Sequence, residues 1–256
     1  MGNFFALDNV PYINNTITSL VYQPPERSKC DIDVLSNEEN VEIINISYGE
    51  KNISVLQILP PSKRTDRVII WSHGNATDNF SMYNFLTHLS TTIDACVVCY
   101  DYIGYGNSWD KSSQPSEKKC YLCLHVVIHY YEKITNNILL IGQSLGTGIT
   151  VHCAKKLKWT KPIILISPYK SLPHVVTDVP VSSVLSNNIF DTYNKIDKLS
   201  CPVKIYHGID DEVINIDHAK ALHNKIINNL KPSWLHETGH NDILYKIKWS
   251  DLNKLF

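Results

Sequence analysis

Four short runs in the middle of this chain are almost unbroken Val, Ile, Leu, Trp and Cys: "VIIW" at 68–71, "CVVC" at 96–99, "ILLI" at 138–141 and "IILI" at 163–166. None has a polar face, and each is short for a buried helix, so each suits a strand of a parallel sheet covered on both sides. Segments with helical spacing fall at 79–92, 116–134, 145–157 and 217–230, alternating with the runs. That alternation calls for βαβ crossovers. Ahead of it, "VEIINISY" and "ISVLQILP" flank a turn at Gly49–Asn52 and form an antiparallel hairpin. Two later runs, "CPVKIYHG" and "SWLHETGH", extend the sheet. The expected fold is α/β, a mostly parallel doubly wound sheet entered through an N-terminal antiparallel hairpin.

The chain has 256 residues, 43% hydrophobic and 19% charged, which is ample for one core. No repeat, low-complexity segment or linker divides it. One domain over 1–256 is expected, with about 1–35 as an N-terminal extension and about 169–200 as a short lid insertion. The lid interval carries Pro173, Pro180 and a Ser/Asn cluster. It far exceeds the usual ~2–6-residue connection of an α/β unit. Being short for a lid, it implies a fairly open cleft.

Charge and cysteine usage narrow the function. Lys and Arg number 24 against 25 Asp and Glu, without a long block of either sign. That argues against a nucleic-acid partner, which usually needs a concentrated basic face. No apolar stretch reaches the ~20 residues that span a bilayer. The start, "MGNFFALDNVPYINN", lacks the basic and long apolar regions of a secretory signal. Seven cysteines, an odd number lying mostly within core elements, fit reduced thiols and a cytoplasmic location. Sequons at Asn14, Asn45, Asn52, Asn75 and Asn79 carry little weight in so Asn-rich a chain.

The chemistry gathers at four places. Gly142-Gln143-Ser144-Leu145-Gly146 fits G-x-S-x-G between an apolar strand and a helix. A serine at strained φ/ψ needs minimal side chains two residues to either side if its hydroxyl is to project. The helix start behind it offers N–H groups to a developing oxyanion. The pattern is weak alone; its context strengthens it. Next, "WSHGNATD" follows the third strand, where a loop N–H completes an oxyanion hole. Asn75 N–H is the preferred donor, with Leu145 N–H as its partner; the plainer reading is a Gly turn beside a core histidine at His73. "YHGIDDEVI" then offers two aspartates, and the G-x-x-D spacing from Gly208 favours Asp211 over Asp210. Finally, His240 in "ETGHND" follows the last strand and precedes a C-terminal helix. The order Ser144, Asp211, His240 is that of α/β-hydrolases.

Other features yield to packing. Cys96 and Cys99 sit at odd spacing on one strand and cannot chelate together. Cys120/Cys123 and His125/His129 have helical spacing but no partner pair, so core and surface placement is expected and no metal. "YDYIGYGNS" lacks the G-x-G-x-x-G register of a dinucleotide site, and packing is the expected role of Asp101, Tyr102 and Tyr105.

With these residues assembled, the chain resembles the alpha/beta hydrolase domain-containing protein 17 family of membrane-associated protein depalmitoylases. The carrying stretches are "VYQPPE", "HGNATDN", "YDYIGYGNS", "IGQSLGTG", "CPVKIYHGIDDEVI" and "GHNDI", from Val21 to Ile243. The resemblance implies an α/β-hydrolase fold, a Ser144/Asp211/His240 triad, no metal or organic cofactor, and thioester or ester cleavage. By analogy the substrates would be S-palmitoylated proteins at the cytoplasmic face of a membrane. One departure stands out: family members carry a palmitoylated N-terminal cysteine cluster, whereas the first cysteine here is Cys30. Gly2 opens an N-myristoylation pattern that Ala6 breaks, and Phe4-Phe5 offers a weak amphiphilic contact. A small-molecule or lysophospholipid carboxylesterase would use the same residues. A hydrolase fold kept as a binding module is a third reading.

Overall fold

The computed structural model describes residues 21–26, 35, 38–172, 175 and 189–256. Strands β1 (Val41–Tyr48) and β2 (Lys51–Ile58) form the expected hairpin. Its turn is tighter than the sequence suggests: Gly49 takes φ +58°, and pairing resumes at Lys51 opposite Tyr48. Four more strands follow, β3 (Val68–Ser72), β4 (Cys96–Tyr100), β5 (Ile138–Gln143) and β6 (Ile163–Ile166). The sheet is completed by β7 (Val203–Gly208) and β8 (Ser233–Leu235). The order is β1-β2-β4-β3-β5-β6-β7-β8; β1–β2 and β2–β4 are antiparallel and every later pairing is parallel.

The unbroken apolar runs behave as two-sided burial requires. Along β3, Val68 and Ile70 enter one core layer, and Ile69 and Trp71 the other. Cys96 and Cys99 likewise part to opposite layers, as their odd spacing requires. The first layer lies under α2 (Glu117–Tyr131) and α3 (Leu145–Lys156). The second lies under α1 (Asn79–Ile93) and a 3-10 stretch, Trp249–Leu255. Asp78 starts α1 by accepting the Ser81 N–H at 2.8 Å, and Ser116 caps α2 through the Lys119 N–H. Cys120 and Cys123 are core residues of α2, and His125 and His129 are exposed on it.

One helix is shorter than its periodicity. The expected helix 217–230 is α4 (Ile216–His223). Beyond it the backbone is drawn out against β7, where the Val203 N–H donates to Asn228 O and the Leu230 N–H to Val203 O. Pairing with the sheet edge therefore overrides helical spacing and delivers the chain into β8. After β8 the expected C-terminal helix is a four-residue α5 (Ile243–Lys246) followed by the 3-10 stretch.

Positions 173–174 and 176–188 of the expected lid, and most of the expected N-terminal extension with Gly2, Phe4-Phe5 and Cys30, lie outside the described residues. The lid interval's described ends are fastened together. The Leu172 N–H donates to Ile189 O, and the Thr192 and Tyr193 N–H groups both donate to Lys170 O. Phe190 is buried against Tyr22, edge to face. No helix among the described residues is long and apolar enough to cross a membrane.

Two glycines fix how α3 meets the sheet. A Cβ on Gly146 would lie 2.0 Å from Ser72 O, and one on Gly142 would lie 2.6 Å from Gly146 O. Both contacts involve backbone, which cannot swing aside. Gly146→Ala should therefore destabilise the fold by about 1–3 kcal/mol or more, read as a lower urea midpoint. An unchanged midpoint would show that the helix can shift without cost.

Candidate active site

Ser144 stands at the turn from β5 into α3 with φ +49° and ψ −117°, a region that costs a non-glycine residue of order 1–3 kcal/mol. Neighbouring backbone holds it there: its N–H donates to Ile166 O at 2.9 Å, and its carbonyl accepts the Thr147 N–H at 2.9 Å. The side chain makes no capping bond to the helix, which leaves the hydroxyl available to other partners.

The partner is His240. Its Nε2 lies 3.1 Å from Ser144 Oγ, and its Nδ1 lies 2.8 Å from Asp211 Oδ2. Side chains 96 and 29 positions from His240 in sequence thus meet on one imidazole. A carboxylate only accepts, so Nδ1 carries the proton and Nε2 presents a lone pair to the serine hydroxyl. Of the two aspartates, Asp210 is exposed and Asp211 is buried, in line with the G-x-x-D spacing.

Asp211 is heavily supported. Its Oδ1 accepts the Val213 N–H at 3.0 Å and the Ile214 N–H at 2.7 Å. Its Oδ2 also lies 3.4 Å from Nε2 of His207, a histidine fully buried on β7. Burial alone would raise the Asp211 carboxyl. Hydrogen bonding from His207, His240 and the Ile214 N–H outweighs it and holds the group well below the usual carboxylate range. His207 is the residue that motif reading missed. Its Nε2 lies 2.8 Å from Ile214 O, a pure acceptor, so the proton sits on Nε2 and faces Asp211 as well. The "YHGIDDEVI" stretch contained it, but no spacing rule marks a second histidine behind the aspartate.

The loop after β3 passes beside the serine: a Cβ on Gly74 would lie 3.6 Å from Ser144 Cβ. The carboxamide of Asn75 is locked from three sides. Oδ1 accepts the Gln23 N–H at 3.0 Å and the Tyr105 hydroxyl at 2.6 Å, and Nδ2 donates to Val21 O at 2.8 Å. The Tyr102 hydroxyl donates to His73 O at 2.6 Å. Tyr102 and Tyr105 therefore pack, as expected, and in packing they hold this loop. His73 is the core histidine of the plainer reading: it stacks on Tyr102, and burial pushes it down to about 4, so it is neutral. Asp101 is buried beneath, taking the Asn79 and Asn107 N–H groups. Leu145, the other expected oxyanion donor, is the first residue of α3, next to Ser144. Among the described residues no group of three or more His, Cys, Asp or Glu could hold a metal ion.

Half-buried Ser144 and His240 over a buried Asp211 at the C-terminal edge of a doubly wound sheet point to a class, and the class itself is shown by comparison with known proteins. The chain belongs to the alpha/beta hydrolases. It is 39% identical over 254 residues to a protein of Acanthamoeba polyphaga mimivirus that carries an alpha/beta hydrolase name, covering 96% of this chain and 95% of that one. It is also similar to alpha/beta hydrolase domain-containing protein 17C, at 35% identity over 188 residues for the Homo sapiens protein and 36% over 179 for that of Xenopus tropicalis. These matches cover 72% and 68% of this chain, which spans only 55–56% of those relatives' length. Among solved structures, an esterase of Pyrococcus furiosus superposes with TM-score 0.71 at 15% identity, covering 92% of this chain and 97% of that one. Est1E of Butyrivibrio proteoclasticus gives 0.67 at 16%, covering 82% and 96%. No family model matches.

Since the folded Asp211 carboxyl titrates below its unfolded value of ~3.9, its stabilisation is complete above that value and is lost as pH falls through the folded one. In Asp211→Asn, the acid-side slope of urea stability below about pH 5 should flatten relative to the native chain. In His207→Phe the folded carboxyl should titrate higher, weakening that slope without removing it. Equal slopes in all three proteins would contradict this account of the carboxyl's environment.

Proposed function

We propose that the chain is a serine hydrolase cleaving acyl thioesters or esters through an acyl-enzyme on Ser144. The observation that carries this reading is the pair of contacts on His240, 3.1 Å to Ser144 Oγ and 2.8 Å to Asp211 Oδ2. His240 Nε2 takes the hydroxyl proton as Ser144 Oγ attacks the substrate carbonyl carbon. The Asn75 and Leu145 N–H groups receive the negative charge on the carbonyl oxygen, and losing one such donor typically costs ~10²–10³ in turnover. The tetrahedral species collapses with cleavage of the C–S or C–O bond, and His240 protonates the departing thiolate or alkoxide. Water, deprotonated by the same imidazole, then releases the acyl group as a carboxylic acid. Asp211 stays ionised throughout, as its depressed titration requires.

The family resemblance directs the substrate reading towards acylated proteins, with S-palmitoyl groups as the acyl class and peripheral contact with a cytoplasmic membrane face as the setting. Six buried free thiols, Cys96, Cys99, Cys120, Cys123, Cys153 and Cys201, suit a reducing compartment. The interval 169–200 is proposed as the lid segment, because it leaves the sheet directly after β6, one strand from Ser144.

Native protein should label with a fluorophosphonate probe, and Ser144→Ala should abolish the label. Failure of the native chain to label would leave a binding module as the better reading. In direct competition, long-chain acyl-peptide thioesters should be hydrolysed at least as fast as lysolipid or short-chain oxygen esters. Negligible thioester rates would make the protein a carboxylesterase instead.

A further inference from the structure

On the sheet face that carries α1, a concavity of about 400 Å³ lies between β7, β8 and the C-terminal turns. Five lysines line it: Lys204, Lys231, Lys246, Lys248 and Lys254. Among the described residues lining it, Asp251 is the single carboxylate, and it pairs with Lys254 at 3.1 Å. Over the whole chain basic and acidic residues nearly cancel, 24 against 25, so five to one in a single hollow is strong local segregation. Its walls are partly apolar, with Tyr206, Leu235 and Ile247 among them.

Lys204 is fixed rather than waving in solvent. Its Nζ donates to Lys231 O and, at 2.9 Å, to Ser233 Oγ, and it lies 4.9 Å from the centroid of the Tyr206 ring. Burial draws this ammonium below its ordinary range; Asp251 opposes the shift and Lys231 adds to it. An anion seated in the hollow would relieve that cost. The site is separate from the serine: Lys204 precedes Gly208 by four residues of β7, ~13 Å along the strand, and Asp211 follows Gly208.

We propose that this hollow binds a small polyanion built of clustered phosphate groups. Several ammonium groups around so small a volume call for several negative charges on one compact ligand, which adjoining phosphates supply. Lysine acts as a point charge, indifferent to which phosphate oxygen it meets, so several can share one compact polyanion. The volume lies in the ~300–1,000 Å³ range of small-ligand pockets. The Tyr206, Leu235 and Ile247 surfaces would accept the ring or glycerol carbons to which such phosphates are attached.

The test is calorimetric titration of the full chain with inorganic tripolyphosphate at low salt. Saturable binding near one equivalent is expected, weakening as salt screens it. Lys231→Glu/Lys248→Glu, both exposed positions, should weaken binding about tenfold or more. Lys118→Glu/Lys155→Glu, the same charge change on α2 and α3 over the opposite sheet face, should leave it near native. A parallel arm separates the sources of such phosphates. Co-sedimentation with phosphatidylcholine vesicles carrying phosphatidylinositol bisphosphate, lost in Lys231→Glu/Lys248→Glu, supports the site with a lipid headgroup as ligand. Tripolyphosphate binding without sedimentation supports it with a soluble one. Absence of tripolyphosphate binding, or equal weakening by both lysine pairs, overturns the proposal.

Discussion

The approach of Gly146 to the Ser72 carbonyl is the contact on which the site depends. It lets α3 start against the end of β3 with no side chain between them. That fixes where the helix N-terminus, the serine and the β3 loop sit relative to one another. The left-handed strain at Ser144 persists because its surroundings over-determine it. Nine residues of α3 are buried, and the Ser144 N–H and carbonyl are both committed to neighbouring backbone. Burial of the helix offsets the strain, and the hydroxyl's position 3.1 Å from His240 Nε2 is what the strain secures.

Around this elbow, polar groups act by holding positions. His207 and the 213–214 amides fix Asp211; Tyr102 and Tyr105 hold the loop carrying Asn75; Asp101 ties the start of α1 to Asn107. Most of these partners are buried, where a hydrogen bond is electrostatically stronger and an unmet one more costly. The tyrosines after β4 therefore serve the site without facing a substrate. The N-terminal segment joins them through the Gln23 N–H and Val21 O on the Asn75 carboxamide.

Much of this was legible in the residues. The unbroken runs at 68–71, 96–99, 138–141 and 163–166 could be buried only as sheet strands, and the hairpin and late strands followed from turn and alternation signals. Ser144 stood out because backbone crowding, which is local, dictates its glycine spacing; Asp211 and His240 were picked by chain order, which follows fold topology, and the three meet on one imidazole. What escaped was non-local. The end of α4 is set by a backbone ladder with Val203, which no periodicity in 217–230 reveals. His207 faces Asp211 only because the turn after β7 folds back on the strand. The lysine hollow draws on residues 204 to 254, and a near-zero net charge conceals it.

The fastening of Leu172 to Ile189, and of Lys170 to Thr192 and Tyr193, has a consequence for loop length. The two ends of the connection are held side by side by backbone hydrogen bonds, so the closure of the loop between them is already fixed. Lengthening such a loop adds only a slowly growing entropy term, of order 0.6 kcal/mol per doubling. The length of the connection can then change while the strands that carry Ser144, Asp211 and His240 stay where they are. A neck of this kind uncouples the length of one connection from the geometry of the sheet.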